Sequence, residues 1–313
     1  MIFNKKLLGL IAGLIAVNIS TTFAAISFTT SEDHVALVAV DPNTGNMLFR
    51  GPMPMDTDDT GYNPVFVGLP TVYNILENGA DGGTYPGFAA SPLNPHKITT
   101  FPTPNQSIFI DVVLYGQTGK GSGELPVELN AITNNKGDLS QALHQMLYTN
   151  PSQHDILQPG STGFIWWEML GYDVDMGTVP ATIVNKQLYG GDTLDKDESL
   201  DYSGQMALIH QLMTTSITYD GVKVPVIIYA HCEAGADRTG EFVMNYLMQY
   251  GRYDSTAANQ YASFPTLASA LTVASNITTP ELTNPGHSYQ QMSGYYCKWL
   301  GLDKDNDKAC LVN

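Results

Sequence analysis

The chain has 313 residues and a formal net charge of −16, with a pI of about 4.5, which argues against a basic face for nucleic acid or anionic lipid. Only 14% of the residues are charged and no long run of like charge occurs, so the acidity does not read as a disordered tail. The length suffices for one large core, or for a core with an appended region.

Residues Met1 to Ala24 carry the pair Lys5 and Lys6, the apolar run "LLGLIAGLIAV" and the ending "TTFA", with Thr22 and Ala24 suited to cleavage after Ala24. This pattern predicts a secretory signal peptide. The apolar run from Leu7 to Val17 is eleven residues, short of the roughly 20 that span a bilayer. Its removal would leave 289 residues and shift the charge from −16 to −18, giving a secreted or periplasmic protein with no membrane span after cleavage.

Downstream, "HVALVAVDPNTGNMLFRG" sets two apolar stretches around a Pro/Gly turn and predicts a hairpin. In "YNPVFVGLPTVYNILENG", Pro70 opens a short helix that ends at Gly79. Residues 80–106 are rich in Gly, Pro and Asn and read as a long surface loop. "SIFIDVVLYG" is a strand by its β-branched content. Asp138 caps a predicted helix "LSQALHQMLY", and "GFIWWEML" and "ATIVNKQLY" read as strands.

Asp201 can cap a helix reaching about Thr215, because Met206, Ile209, Leu212 and Met213 recur at helical spacing. A turn at "YDGVKV" leads into the strand "PVIIYA", then into a helix from Thr239 to Tyr250 that stops at Gly251. "STAANQYASF", "PTLASALTVAS" and "HSYQQMSGYYCKWLG" read as further helices. The order predicts a single α/β domain over 25–313, with a helical C-terminal portion from about 253. Of the three cysteines, Cys297 and Cys310 are close enough in sequence for a disulfide, which leaves Cys232 as the odd thiol.

Cys232 is the second residue of the stretch "HCEAGADRTG", set between the apolar strand and the following helix. A loop there can turn the amides of Glu233, Ala234, Gly235, Ala236, Asp237 and Arg238 inward as an anion nest, at the positive end of the helix dipole. Gly235 permits a backbone conformation that a side chain would hinder, and the planar fork of Arg238 can grip two phosphoryl oxygens. Such surroundings favour a nucleophilic thiolate, the species that attack on phosphorus requires. His231 and Thr239 are supporting residues, through hydrogen bonds to the loop and toward the thiolate. Each also has a purely structural reading, as a strand-end histidine and a helix N-terminal threonine.

"HCEAGADRTG" matches His-Cys-x-x-Gly-x-x-Arg-Thr, and so resembles the signature loop of the cysteine-dependent protein tyrosine phosphatase superfamily, whose members include tyrosine-specific, dual-specificity, phosphoinositide and phytase-like enzymes. The resemblance covers about Leu188 to Tyr250. It implies a central mixed sheet flanked by helices, an α/β fold of the protein-tyrosine-phosphatase kind. "MLFRGPMP", Met47 to Pro54, is similar to an arginine-containing opening segment of some atypical members, although a surface loop is the plainer reading.

The resemblance further implies that Cys232 forms a phosphocysteine, that Arg238 and the loop amides hold the phosphoryl oxygens, and that no metal or cofactor takes part. It also implies a separate aspartic acid that protonates the leaving group and later activates water. Asp192, forty residues before Cys232 and beside two glycines, is the candidate, with Asp195, Asp197 and Asp237 as rivals. The family's usual Trp-Pro-Asp tripeptide is absent.

Glu233, Asp237 and the scarcity of basic residues disfavour phytate and polyphosphoinositides, and a phosphotyrosine-like or other monophosphate fits better. The expected partner is thus a phosphorylated protein or a small phosphomonoester. A module that binds phospho-ligands without turnover, a rhodanese-like sulfur transferase and a redox enzyme are the other classes. The Arg-Thr ending and the lack of a second cysteine near Cys232 disfavour the last two.

Overall fold

A computed structural model describes Phe28, residues 34–57, 63–79, 85–94, Ile98, 100–114, 124–133, 158–167, Met169, Leu188, 202–275 and 288–311. The expected signal peptide, the helix expected over 139–148 and most of the strand expected over 181–189 lie outside these residues, as do Asp192, Asp195, Asp197 and Asp201.

The predicted hairpin is formed by β1 (Ala36–Val40) and β2 (Met47–Pro52), paired antiparallel across the turn at Asp41 to Gly45. Asp41 holds that turn by accepting from the amides of Asn43 and Thr44. Two short strands, β3 (Met55–Thr57) and β4 (Pro64–Phe66), pair next to each other, and α1 (Leu69–Asn78) follows with Pro70 in its first turn. The strands β5 (Ile108–Val113) and β6 (Thr162–Trp166) flank α2 (Leu125–Thr133) in sequence. Then come α3 (Tyr202–Thr214) and a hairpin of β7 (Ile217–Tyr219) and β8 (Val222–Val224), with Asp220 and Gly221 at its tip. β9 (Val226–Cys232) runs from there toward α4 (Asp237–Gln249).

The main sheet has the order β1-β2-β9-β5-β6, with β2, β9, β5 and β6 mutually parallel and β1 antiparallel at the edge. It is a mixed α/β arrangement with β9 at its centre. Alternation along β9 divides the core between the two faces. Val226, Ile228, Ala230 and Cys232 pack with α3, α4 and the C-terminal helices, whereas Ile227 and Tyr229 pack with α1, α2 and a cluster of aromatic rings.

Two expectations change. Residues 80–106 are not wholly a surface loop: Tyr85, Phe88 and Phe101 are buried, and Phe88 lies 5.3 Å from Phe101 between ring centroids. Gly and Pro dominate the composition there, but these rings supply enough apolar area to draw the segment onto the sheet. Residues 255–264 are not a helix; β10 (Arg252–Tyr253) pairs with β11 (Tyr261–Ala262) across a turn. Asp254 accepts from the amide and hydroxyl of Thr256, and Asn259 from the amide of Tyr261, so short polar side chains take donors that a helix would need. The helices α5 (Leu267–Ser275) and α6 (Ser288–Trp299) form as expected. A disulfide joins Cys297 to Cys310 and holds the C-terminal turn to α6. In the loop-entropy picture it contributes roughly 3 kcal/mol. No helix among the described residues is long and apolar enough to cross a membrane.

Candidate functional site

Cys232 ends β9, at the carboxyl edge of the parallel strands, where open α/β sheets commonly present ligand sites. The strand extends two residues beyond the expected Ala230, because Gly51 and Pro52 of β2 pair with His231 and Cys232. The following helix starts at Asp237, earlier than the expected Thr239, so Arg238 lies in its first turn rather than on the loop. Cys232 is buried and is the one free cysteine among the described residues. Its loop is therefore short: Glu233, Ala234, Gly235 and Ala236 connect strand to helix.

Two glycines allow this loop to sit on the end of β2. Gly235 has φ +70, and a Cβ there would lie 2.4 Å from the carbonyl carbon of Gly51 and 2.5 Å from the nitrogen of Pro52. A Cβ on Gly51 would in turn meet the Tyr229 hydroxyl at 2.0 Å, where that hydroxyl donates to Pro52 O at 2.6 Å. A side chain at either position would push β2 and the loop apart.

Three successive loop carbonyls are held from outside. Glu233 O accepts from the Met53 amide at 3.1 Å, Ala234 O from His34 Nδ1, and Gly235 O from a guanidinium nitrogen of Arg50. In a trans peptide the C=O and the next N–H point in opposite directions. Carbonyls drawn outward thus leave the amides of Ala234, Gly235 and Ala236 turned to the inside of the loop, the disposition that an anion nest needs. The dipole of α4 adds positive potential on the same side.

Arg50 is fully buried, on the face of the sheet that carries Cys232. Burial draws its guanidinium down to about 10, and the nearby Cys232 and Tyr229 oppose that shift. It remains a cation at neutral pH, within electrostatic reach of the thiol. The segment "MLFRGPMP" is consequently not a surface loop: Met47 to Pro52 form a wholly buried strand paired with β9.

Arg238 is half-buried, and its Nε has no hydrogen-bond partner among the described residues. Asp237 is half-buried beside it. Thr239 is fully buried, and its hydroxyl makes no hydrogen bond to Cys232 or to any other described residue. Its supporting role is that of a packed residue in the first turn of α4. Tyr289 of α6 is buried within electrostatic reach of Arg238, Asp237, Glu241 and Cys232, so the C-terminal helices close one side of the site. The tryptophan pair contributes to the core: Trp167 packs edge-on against Tyr202 and Phe242.

His231 does more than end a strand. Its Nδ1 donates to Cys232 O at 3.2 Å, and its Nε2 lies 3.1 Å from Asp111 Oδ1 and 3.1 Å from Glu128 Oε1. All three side chains are completely buried. Burial disfavours the imidazolium, but the Glu128 and Asp111 carboxylates outweigh it and hold the His231 pKa well above its ordinary value. Burial first, then repulsion from Glu128, raises the Asp111 carboxyl far above the usual carboxylate range. The trio lies on the opposite face of the sheet from Cys232, joining β5, α2 and β9 directly beneath the loop.

The described residues thus bring together Cys232, Arg238, the loop amides, His231 and Asp237. Sequence reasoning missed His34, Asp111, Glu128 and Tyr289, and it left Arg50 as a faint similarity. An aspartate in the apolar strand "SIFIDVVLYG" was the one available signal for Asp111, since a charge in a central strand demands a partner. Comparison with family models, curated proteins and solved structures finds no match to this chain.

Proposed function

We propose that the chain is a cysteine-dependent phosphatase, secreted or periplasmic, that hydrolyses phosphate monoesters through a phosphocysteine intermediate. The observation that carries this reading is the order of groups at the end of β9. Cys232 comes first, a left-handed Gly235 follows, and Arg238 stands in the first turn of α4, above a loop whose carbonyls are drawn away from its interior. A thiolate, an inward amide nest and a two-pronged cation are the parts that phosphoryl transfer to sulfur requires.

In this mechanism the Cys232 thiolate attacks phosphorus and forms an S–P bond as the P–O bond to the leaving group breaks. Arg238 and the loop amides hold the remaining oxygens, and Arg50 stabilises the thiolate. A carboxylic acid gives its proton to the departing alkoxide or phenoxide, then as carboxylate takes one from water, which attacks phosphorus and releases Cys232. Asp192 is the proposed acid and Asp237 its rival. The scarcity of basic residues supports a monophosphate, on a phosphotyrosine-like side chain or a small molecule, over a polyphosphorylated inositol.

The test is release of nitrophenol from p-nitrophenyl phosphate by residues 25–313, with Cys232→Ser, Arg238→Ala, Asp192→Asn and Asp237→Asn alongside. The expected result is turnover that is abolished by Cys232→Ser, falls at least about a hundredfold in Arg238→Ala, and loses the basic limb's acid group in one of the two aspartate variants. Absence of turnover in the wild type, with phosphate-dependent thermal stabilisation, would instead make the loop a phospho-ligand binding site.

A further inference from the structure

The buried trio of Asp111, Glu128 and His231 presents a chemical problem that the phosphatase reading does not use. Two carboxylates and an imidazole meet with no solvent exposure, on three separate elements. A backbone carbonyl can only accept, so the 3.2 Å contact to Cys232 O places a proton on Nδ1. Nε2 is then the ring nitrogen turned to the carboxylates, 3.1 Å from Asp111 Oδ1 and 3.1 Å from Glu128 Oε1. Two buried carboxylates that converge on one ring nitrogen need positive charge between them, which a proton on Nε2 or a metal ion in its place supplies. Asp111 Oδ2 is likewise buried and has no hydrogen-bond partner among the described residues.

From this convergence we propose that Asp111, Glu128 and His231 form a structural binding site for one first-row divalent transition-metal cation, with Zn2+ as the probe. The site does not depend on the phosphatase reading, and its ion touches no reacting atom. Ligand atoms on bonds of about 2.0–2.2 Å lie roughly 3–3.5 Å apart in tetrahedral or octahedral geometry, the separation found around Nε2. The ligand atoms of all three residues lie within 4.8 Å of one another. The second carboxylate oxygen of Asp111 is available to close a fourth position.

The surroundings also suit an ion. A metal-bound histidine commonly gives its other N–H to a backbone carbonyl, which fixes its tautomer and ring plane, and here that carbonyl belongs to the nucleophile's own residue. One imidazole with two carboxylates favours a borderline cation such as Zn2+ over Mg2+ or Ca2+, which prefer oxygen ligands alone. The two carboxylate charges equal the charge of the ion, so the loaded site is neutral. The ion would pin β5, α2 and β9 together under the loop. Its anchoring of His231 would set the position of the Cys232 carbonyl.

The experiment measures metal content by mass spectrometry on protein produced in zinc-supplemented medium, and on protein refolded with its disulfide intact in Zn2+ or in chelator. The expected result is about one Zn per chain in the wild type and in Cys232→Ser, falling more than about tenfold in Glu128→Gln and Asp111→Asn. Zinc X-ray absorption should report nitrogen and oxygen ligands without sulfur, and the wild type refolded in chelator should melt at a lower temperature. Should the carboxylate variants fail to fold, the absorption spectrum and the Cys232→Ser stoichiometry still decide the matter. Wild-type protein without zinc above background after both loading routes would overturn the site and leave shared protons as its positive species. Zinc that disappears with Cys232→Ser would overturn it too, by assigning the metal to the thiolate.

Discussion

Arg50 illustrates what a single residue contributes when its surroundings are dry. A wholly buried guanidinium has lost its hydration, and the Gly235 carbonyl and the neighbouring Cys232 and Tyr229 oppose that cost. It therefore bears on the loop twice, by holding a carbonyl outward and, under the phosphatase reading, by facing the thiolate that attacks phosphorus. Arg50→Met keeps the unbranched apolar stem of the side chain and removes both effects. A charge-assisted hydrogen bond of about 1.5–3 kcal/mol corresponds to roughly ten- to a hundredfold in rate. Accordingly, Arg50→Met should slow iodoacetamide alkylation of Cys232 at pH 6.5 and p-nitrophenyl phosphate turnover to that extent, with little change in circular dichroism. Unchanged alkylation would mean that Arg50 serves packing alone. The residue itself was legible in "MLFRGPMP", but the Gly and Pro that end the segment read as a surface turn. Only pairing with β9 shows that Gly51 is there to admit Tyr229 and Gly235.

At the scale of elements, apolar stretches and the turn residues between them were the legible part. Apolar stretches around a Pro/Gly turn marked β1 and β2, β-branched content marked β5, an apolar run marked β9, and helical spacing marked α3, because both faces of the sheet and one face of the helix must be buried. The turn after α4 was misread, since the small polar residues of 255–264 tolerate a helix but satisfy one another better in turns. That turn brings Tyr261 against His210 of α3, which also stacks on Tyr250 with ring centroids 4.0 Å apart. His210 Nδ1 lies 3.3 Å from the Tyr246 hydroxyl. Burial lowers the His210 pKa to about 4, and Asp41 opposes the shift. The unfolded chain titrates near 6.5. As the folded value is the lower one, the unfolded chain takes up the proton first when pH falls. The stability held above about pH 6.5 is then lost progressively down to pH 4. Denaturant melts at pH 7.5 and 4.5 should show the wild type losing on the order of 2 kcal/mol more than His210→Phe, after allowance for the ring's partial exposure. Parallel losses in the two proteins would assign the pH dependence to other groups.

Over the whole molecule, the net charge of −16 sets the field that an anionic ligand would meet. Repulsion from scattered carboxylates is screened over a Debye length of about 10 Å at 0.1 M salt. Under the phosphatase reading, kcat/KM should rise with sodium chloride for an anionic substrate, and more steeply for a bisphosphate than for p-nitrophenyl phosphate. A fall with salt for the bisphosphate would reveal basic side chains that converge on the loop from distant parts of the chain, and would reopen the polyphosphorylated substrates.

The local sequence was enough to single out Cys232, Gly235 and Arg238, and to infer a mixed α/β arrangement, because strand, loop and helix are consecutive and each obeys a short-range rule. It was not enough for the groups that hold the loop in shape. His34, Arg50 and Met53 reach it across 180 residues or more of chain, and Asp111 and Glu128 meet His231 from two other elements. Such contacts arise only when parallel strands set in register what the chain keeps far apart, and the cost of burying charge then decides which side chains must meet.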